Sequence, residues 1–356
     1  MNWVDAGTEL PQTWRANLAI ERKVPLFDSV LGFEVVHSVI DKALFVTNEN
    51  IRATTVGADG RQRFAGNPST AANARFPGYT TLIRVRNASV GESTYFSLQW
   101  SRPVRQKWGF DLSYTHGSAT EAQAIGQTTA GGQWNRNVVF NQNTVTKGTA
   151  DFEIRHRVQA AVTRDFQLIK GQRTRVSVSY EGRTGNPYSW VFGGDLNGDS
   201  VSFNDTVAVP SGASDPRFDF SGMTPAQRDA FLAFVQGSEL SAYAGGIAPK
   251  NAFTEPWVNR LDLKVAHNIP LAGRVRLDLF FDFINLGAFL SKDFFGYNEV
   301  SPFLSNGVFR TRTLTNATAY GTDGRIRPTY TSEPVGFNIE NGMSRWRIQL
   351  GARLSF

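Results

Sequence analysis

The chain has 356 residues, 37 Lys and Arg against 31 Asp and Glu, a net charge of +6 and no cysteine. Without cysteine there are no disulfides and no thiolate metal centres. Basic residues that come one or two at a time, rather than clustered on one face, argue against nucleic acid as a partner.

Charged residues make up only 19% while Gly (33) and Phe (27) are abundant, a mixture that favours strands and long irregular loops over helices. The recurrent signal is a period of two. Residues 12–24 place Trp14, Ala16, Leu18 and Ile20 on one face and Arg15, Asn17, Ala19 and Glu21 on the other. Residues 30–51 and 79–103 are rich in strand formers but less regular. Residues 107–115 set Trp108, Phe110, Leu112 and Tyr114 against Lys107, Gly109, Asp111 and Ser113. Residues 151–163 oppose Phe152, Ile154, His156, Val158, Ala160 and Val162 to Asp151, Glu153, Arg155, Arg157 and Gln159. The same alternation runs through 173–183 (Val176, Val178, Tyr180), 257–266 (Trp257, Leu261, Leu263, Val265) and 274–284 (Val275, Leu277, Leu279, Phe281, Phe283). It closes the chain at 344–356, with Trp346, Ile348, Leu350, Leu354 and Phe356 on one face. About nine crossings follow from this pattern.

Two solvents could explain such a pattern. A soluble sandwich turns the apolar set to a core, whereas a membrane barrel turns it to lipid and lines its lumen with the polar set. Several segments approach or exceed the roughly 9–11 residues that a tilted strand needs to cross a bilayer, against about five or six in soluble sheets. Connections also alternate between short (25–29, 103–106, 167–172, 270–273) and long (about 52–78, 118–149, 184–256, 287–343). That is the asymmetry of periplasmic turns and external loops in outer-membrane barrels. The expected fold is all-β, a transmembrane antiparallel β-barrel with long external loops. Nine is an odd count, and open edges are intolerable in lipid, so residues 1–356 are expected to form the C-terminal part of a larger barrel. No run of about 18 apolar residues marks a transmembrane helix, and no signal peptide is visible after Met1.

Three features could carry a binding role. In DLNGDSVSFND, residues 195–205, Asp195, Asn197 and Asp199 match positions 1, 3 and 5 of an EF-hand-type calcium loop, with the Val201 carbonyl at position 7. Ser200 stands where the turn prefers Gly and Thr206 where the loop has its bidentate acid, so Asp205 is the substitute in a shorter loop. The competing reading is an Asx-rich turn without an ion; no other cofactor is expected. MTPAQRDAFLAFV at 223–235 reads as a helix capped by Thr224, with Pro225 in its first turn and Gln227 closing a capping box; it either meets a partner or packs on neighbouring loops. The strand residues Arg260, Asp262, Lys264, Arg274, Arg276, Asp278, Asp282, Arg345 and Arg347 are expected to face the lumen, as ordinary wet lining or as contacts to a plug. Catalysis has little support: His37, His116, His156 and His267 share no neighbourhood in sequence, and neither HExxH nor G-x-S-x-G occurs. The chain is expected not to be an enzyme.

NPYSWVFGGDLNGDSVSFNDTVAVP at 186–210, EPWVNRLDLKVAHNIP at 255–270, PQTWRANLAIERKVP at 11–25 and the terminal strand resemble the C-terminal barrel of TonB-dependent outer-membrane receptors. The nearest likeness is to the Oar-like branch, which carries a carboxypeptidase-regulatory-like domain. The resemblance implies a 22-stranded barrel in the outer membrane of a Gram-negative bacterium, of which these would be the last nine strands. It also implies a plug domain, absent from this sequence, through which an inner-membrane TonB complex drives uptake of an unknown small-molecule or peptide substrate. Trp346, Ile348, Leu350, Leu354 and Phe356 look like the signal read by the barrel-assembly machinery. Two other functions stay open at this point: a non-transport surface binding protein or adhesin, and a soluble secreted β-sandwich binding module.

Overall fold

Nine long strands pair in sequence order into one antiparallel meander: β1 Gln12–Val24, β2 Ser29–Asn48, β3 Gly91–Arg105, β4 Trp108–Glu121, β5 His156–Phe166, β6 Arg173–Arg183, β7 Val258–Pro270, β8 Arg276–Ile284 and β9 Arg347–Ser355. They are seen in a computed structural model that describes residues 1–300, 310–315 and 320–356.

The period-two pattern becomes two chemically distinct faces because the registers align it from strand to strand. Phe110, Val162, Val178, Leu263, Phe283 and Ile348 stand side by side across β4 to β9. One residue along, on the opposite face, runs Gly109, Thr163, Ser177, Lys264, Asp282 and Gln349. The apolar face is uncovered: Leu18 is 62% exposed and Leu350 74%. A sandwich would bury that face under a second sheet, and none lies over it among the described residues. An apolar surface of this extent is stable against lipid and a liability in water, so the sandwich expectation fails.

The short turns all lie at one end of the sheet. Between β3 and β4 only Gln106 and Lys107 intervene, both left-handed (φ 50° and 76°), the two-residue hairpin geometry that matches strand twist. Pro103 is accommodated by a register shift between Arg102 and Arg105, as a residue without an N–H requires inside a sheet. Phe27, Trp100, Trp108 and Phe110 form one aromatic cluster beside these turns, with Arg102 stacked 4.2 Å over Trp108; it is the girdle expected at a membrane boundary. Gly351 of β9 has its own reason. A Cβ there would lie 2.1 Å from the ring of Phe280, which covers the glycine from the adjacent strand.

Several expected limits move. Residues 151–152 are a turn, 153–155 are irregular and β5 starts at His156, so Phe152 and Ile154 are not strand residues. Arg274 sits in the turn between β7 and β8, and Arg345 and Trp346 precede β9. Arg274 is in a turn and Arg345 follows the turn 341–344 without pairing, so neither belongs to the polar face of the sheet.

At the other end the long connections fold into a layer with a core of its own. The upper part of β2, Ala43–Asn48, leaves the meander to pair with Ile83–Ala88, which pairs in parallel with Asn2–Val4. Tyr188, Trp190, Phe192, Val207, Val209, Phe231, Leu240 and Ile326 are buried together in this layer. A second cluster joins Val46, Ile51, Ile83 and Trp134. At about 1.5–3 kcal/mol for each large side chain removed from water, the loops are a folded unit, not tethers. The helix Pro225–Gly237 belongs to it: Thr224 and Gln227 form the capping box, and Phe231 and Val235 are buried. It packs on neighbouring loops, as one of its two readings had it.

The sheet is open. Among the described residues β1 and β9 pair with nothing on their outer edges. As first and ninth strands of an antiparallel meander they run in the same direction.

Candidate functional surface

The polar face of the sheet and the loop layer above it are the two surfaces on which function could rest. On the polar face, Arg260 pairs with Asp262 (3.1 Å) and Lys264 with Asp282 (3.4 Å), and Asn268 donates to Asp278 (2.6 Å). Arg276, Asp278 and Arg347 share this face by register. The charges are thus largely matched locally, and Gln99, Ser101, Asp111, Gln159 and Glu181 line the same trough with Arg260. A polar wall of this kind can hold water or a polypeptide plug; it presents no single recognition site. On the opposite face Ile348, Leu350 and Leu354 are exposed, and Phe356 almost fully so.

In the loop layer the dominant electrostatic feature is a buried arginine that the sequence did not single out. Arg61 is fully buried. Its guanidinium donates to Asp205 Oδ1 (3.1 Å), Asp59 Oδ2 (3.4 Å) and the carbonyls of Phe140 and Thr206 (2.9 and 2.5 Å), and it lies 4.4 Å over the Phe140 ring. Tyr320 Oη donates to Asp59 Oδ1 (2.6 Å). Four separate connections therefore meet at one cation.

The Asp195–Asp205 segment wraps beside it. Asp195 accepts from the backbone N–H of Gly198, Asp199 and Ser200, and Asp199 from that of Val201 and from the side-chain amides of Asn197 and Asn204. Asn197 Oδ1 accepts from the Asp199 N–H. Asp205 accepts from the N–H of Leu196 and Asn197 on one oxygen and from Arg61 on the other. Burial pushes the Asp195 carboxyl above the usual range and Asp199 well above it, and it raises Asp205 to about 6 despite the opposing charge of Arg61. No salt bridge reaches Asp195 or Asp199 among the described residues, and no group of three or more His, Cys, Asp or Glu there is placed to hold a metal.

A polar pocket opens where three connections meet, lined by Gln127, Gln133, Arg136, Asn137, Lys250 and Arg310. Lys250 faces Asp151 at 3.2 Å and Glu121 at 3.7 Å, and Arg310 faces Glu255 at 3.6 Å. Of the four histidines, two do share a neighbourhood: His116 and His156 are cross-strand partners on β4 and β5, with ring centroids 4.8 Å apart. Sequence spacing hid this because the connection between them is long, which leaves the register open.

An antiparallel sheet with a lipid-facing surface, tight turns at one end and a folded loop layer at the other defines a membrane β-barrel protein. Comparison with protein families places it more closely. The family model described as an outer membrane beta barrel domain matches residues 1–287, and the chain belongs to that family. No curated protein matches the chain, and no solved structure does. Its location is the outer membrane.

Proposed function

We propose that the chain forms the C-terminal part of the barrel of a TonB-dependent receptor of the Oar-like branch, and that it takes up a nutrient or chelate rather than catalysing a reaction. The observation that carries this reading is the pair of free edges. β1 and β9 run the same way, so an antiparallel barrel closes only through an odd number of further strands. A 22-stranded barrel supplies such a number, and an unpaired edge in hydrocarbon costs several kcal/mol per polar group. The loop layer, with its own core and a polar pocket, is the docking face in this reading; the matched charges of the polar face are the surface against which a plug moves.

The reading includes a calcium ion stiffening the Asp195–Asp205 loop. Asp195, Asn197 and Asp199 would hold it with the Val201 carbonyl, since Asp205 is engaged by Arg61. Asn204 supports this: its side chain donates to Asp199 while its buried Oδ1 has no partner among the described residues.

The test is genetic. In cells lacking the gene, uptake of one member of a panel of ferric chelates, vitamins, oligosaccharides and peptides should fall to the level of cells lacking TonB. Unchanged uptake across the panel together with a loss of surface attachment would replace the receptor by an adhesin.

A further inference from the structure

The chain does not leave the sheet at once after β8. It ends that strand at Ile284, and Asn285, left-handed at φ 55°, turns it into two short helices, Leu286–Leu290 and Lys292–Phe295. A Cβ on Gly287 would stand 2.3 Å from the Phe295 ring, so the second helix folds onto the first at that glycine. Ser291, between them, accepts from the Phe294 N–H on its hydroxyl (3.4 Å) and donates its own N–H to the Gly287 carbonyl (2.9 Å). Residues 286–295 are a compact hairpin held by its own contacts.

The hairpin covers the lipid side of the sheet. The Phe289 ring centroid lies 5.5 Å from that of Phe283, in the apolar row of β8, and 5.5 Å from that of Trp346. The Phe294 carbonyl accepts from Asn259 Nδ2 (3.1 Å), and Asn259 Oδ1 accepts from Tyr180 Oη (2.7 Å). By alternation Asn259 shares the face of Leu261, and Tyr180 that of Val178. An amide on a lipid-facing surface needs partners, and these two contacts supply them. The hairpin also fills a gap. β7 begins at Val258, but β8 pairs with it only from Leu263, so residues 258–262 have no strand on that side among the described residues. Both helices lie against β7.

Phe289, Leu290 and Phe294 are each more than half exposed. Asn259 lies on β7, two strands inside the open edge at β9. A strand that completes the barrel would therefore add beyond this surface, not over it. Ser291, Lys292 and Asp293 are exposed as well, and such a mixture of apolar and charged residues suits the headgroup level, not the hydrocarbon centre.

We propose that residues 286–295 are an interfacial anchor, with Phe289, Leu290 and Phe294 seated in the outer leaflet where headgroups meet acyl chains. The partner of this surface is lipid. Through Phe283 and Trp346 the surface is continuous with the lipid-facing band, and aromatic residues are favoured at that depth. The anchor seals the outer part of β7 and sets how deeply β7 to β9 sit in the membrane. It rests on the lipid-facing sheet and holds whether or not the barrel is a receptor.

The chain has no cysteine, so a bimane can be placed singly in Leu290→Cys, Phe294→Cys, Val178→Cys and Ala230→Cys. Each full chain is reconstituted in vesicles of phosphatidylethanolamine and phosphatidylglycerol, with or without brominated phosphatidylcholine. Ala230 is the aqueous reference, exposed on the helix Pro225–Gly237, and Val178 on β6 is the lipid reference. At positions 290 and 294, brominated lipid should quench the probe, and iodide should quench it about fivefold less than at position 230. Heat-modifiable migration in gels checks that each variant is folded. Iodide quenching at 290 and 294 equal to that at 230 overturns the anchor. Protection from both quenchers also overturns it, since protein would then cover the hairpin. If the probe at 178 escapes brominated lipid too, the lipid-facing sheet itself falls.

Discussion

Arg61 and Asp205 lie 144 residues apart in the chain and meet at 3.1 Å, and neither side chain is more than 1% exposed. The pair makes Arg61 the common anchor of the loop layer. Removing one partner of a buried pair leaves the other charged and unpaired, at a cost of about 3–5 kcal/mol. Arg61→Met should therefore loosen the loops without dissolving the sheet. Limited proteolysis should cut residues 184–256 at least tenfold faster, while heat-modifiable migration of the sheet persists. The double variant Arg61→Met with Asp205→Asn should recover part of the resistance, because Asp205 is then no longer a buried unpaired charge, while Asp59 keeps its hydrogen bond from Tyr320.

The same layer has two acid responses of opposite sign. Burial raises Asp205 to about 6 and Asp199 well above its ordinary value. A raised carboxyl stabilises the fold fully below its unfolded value near 3.8, and that contribution is lost as pH rises through the folded value. Burial would raise Asp215 as well, but the Arg217 guanidinium and the N–H groups of Ser211 and Arg217 outweigh it and hold the carboxyl far below its usual range. That contribution is present above the unfolded value and lost as pH falls. Resistance of the loop tryptophan fluorescence to urea should thus peak at about pH 4, the common unfolded value of these carboxyls. Asp199→Asn should flatten the decline toward pH 7, and Asp215→Asn the decline on the acid side.

Calcium would act on the same carboxylates by replacing protons with an ion. At neutral pH, added calcium should raise the protease resistance of the 193–209 segment in the parent chain. Asp195→Ala together with Asp199→Ala should abolish the rise. Equal protection of the parent with and without calcium would remove the ion and leave an Asx-turn network.

The sheet was legible in the sequence because each strand must satisfy two solvents at once, and Val176, Val178 and Tyr180 against Ser177 and Ser179 record that requirement directly. Strand ends were less legible. Ser344, Arg345 and Trp346 continue the alternation of β9, but Ser344 is drawn into the loop layer, where its hydroxyl accepts from the Tyr297 N–H at 2.9 Å. Trp346 meets Phe283 and Phe289 edge to face. The Thr224 capping box was readable because its partners are three residues apart. Arg61 was not, since its partners come from connections up to 145 residues away, and nothing in local spacing pairs them. His116 and His156 failed for the same reason at shorter range: a long loop between two strands does not fix their register.

The division between lipid and water on the two faces makes the sharpest forecast about the sheet. Val178 and Ser179 are consecutive on β6, flanked by Val162 and Leu263 on one face and by Ala161 and Asp262 on the other. Arginine in the middle of a lipid-facing band costs about 2–4 kcal/mol, whereas substitutions on the polar face are tolerated. Val178→Arg should therefore reduce the folded, heat-modifiable fraction in outer membranes several-fold, and Ser179→Arg should leave it near the parent level, with Asp262 available as a partner across the strand. Equal loss in both variants would mean that the apolar face does not meet lipid, and the orientation of the whole sheet would have to be reversed or abandoned.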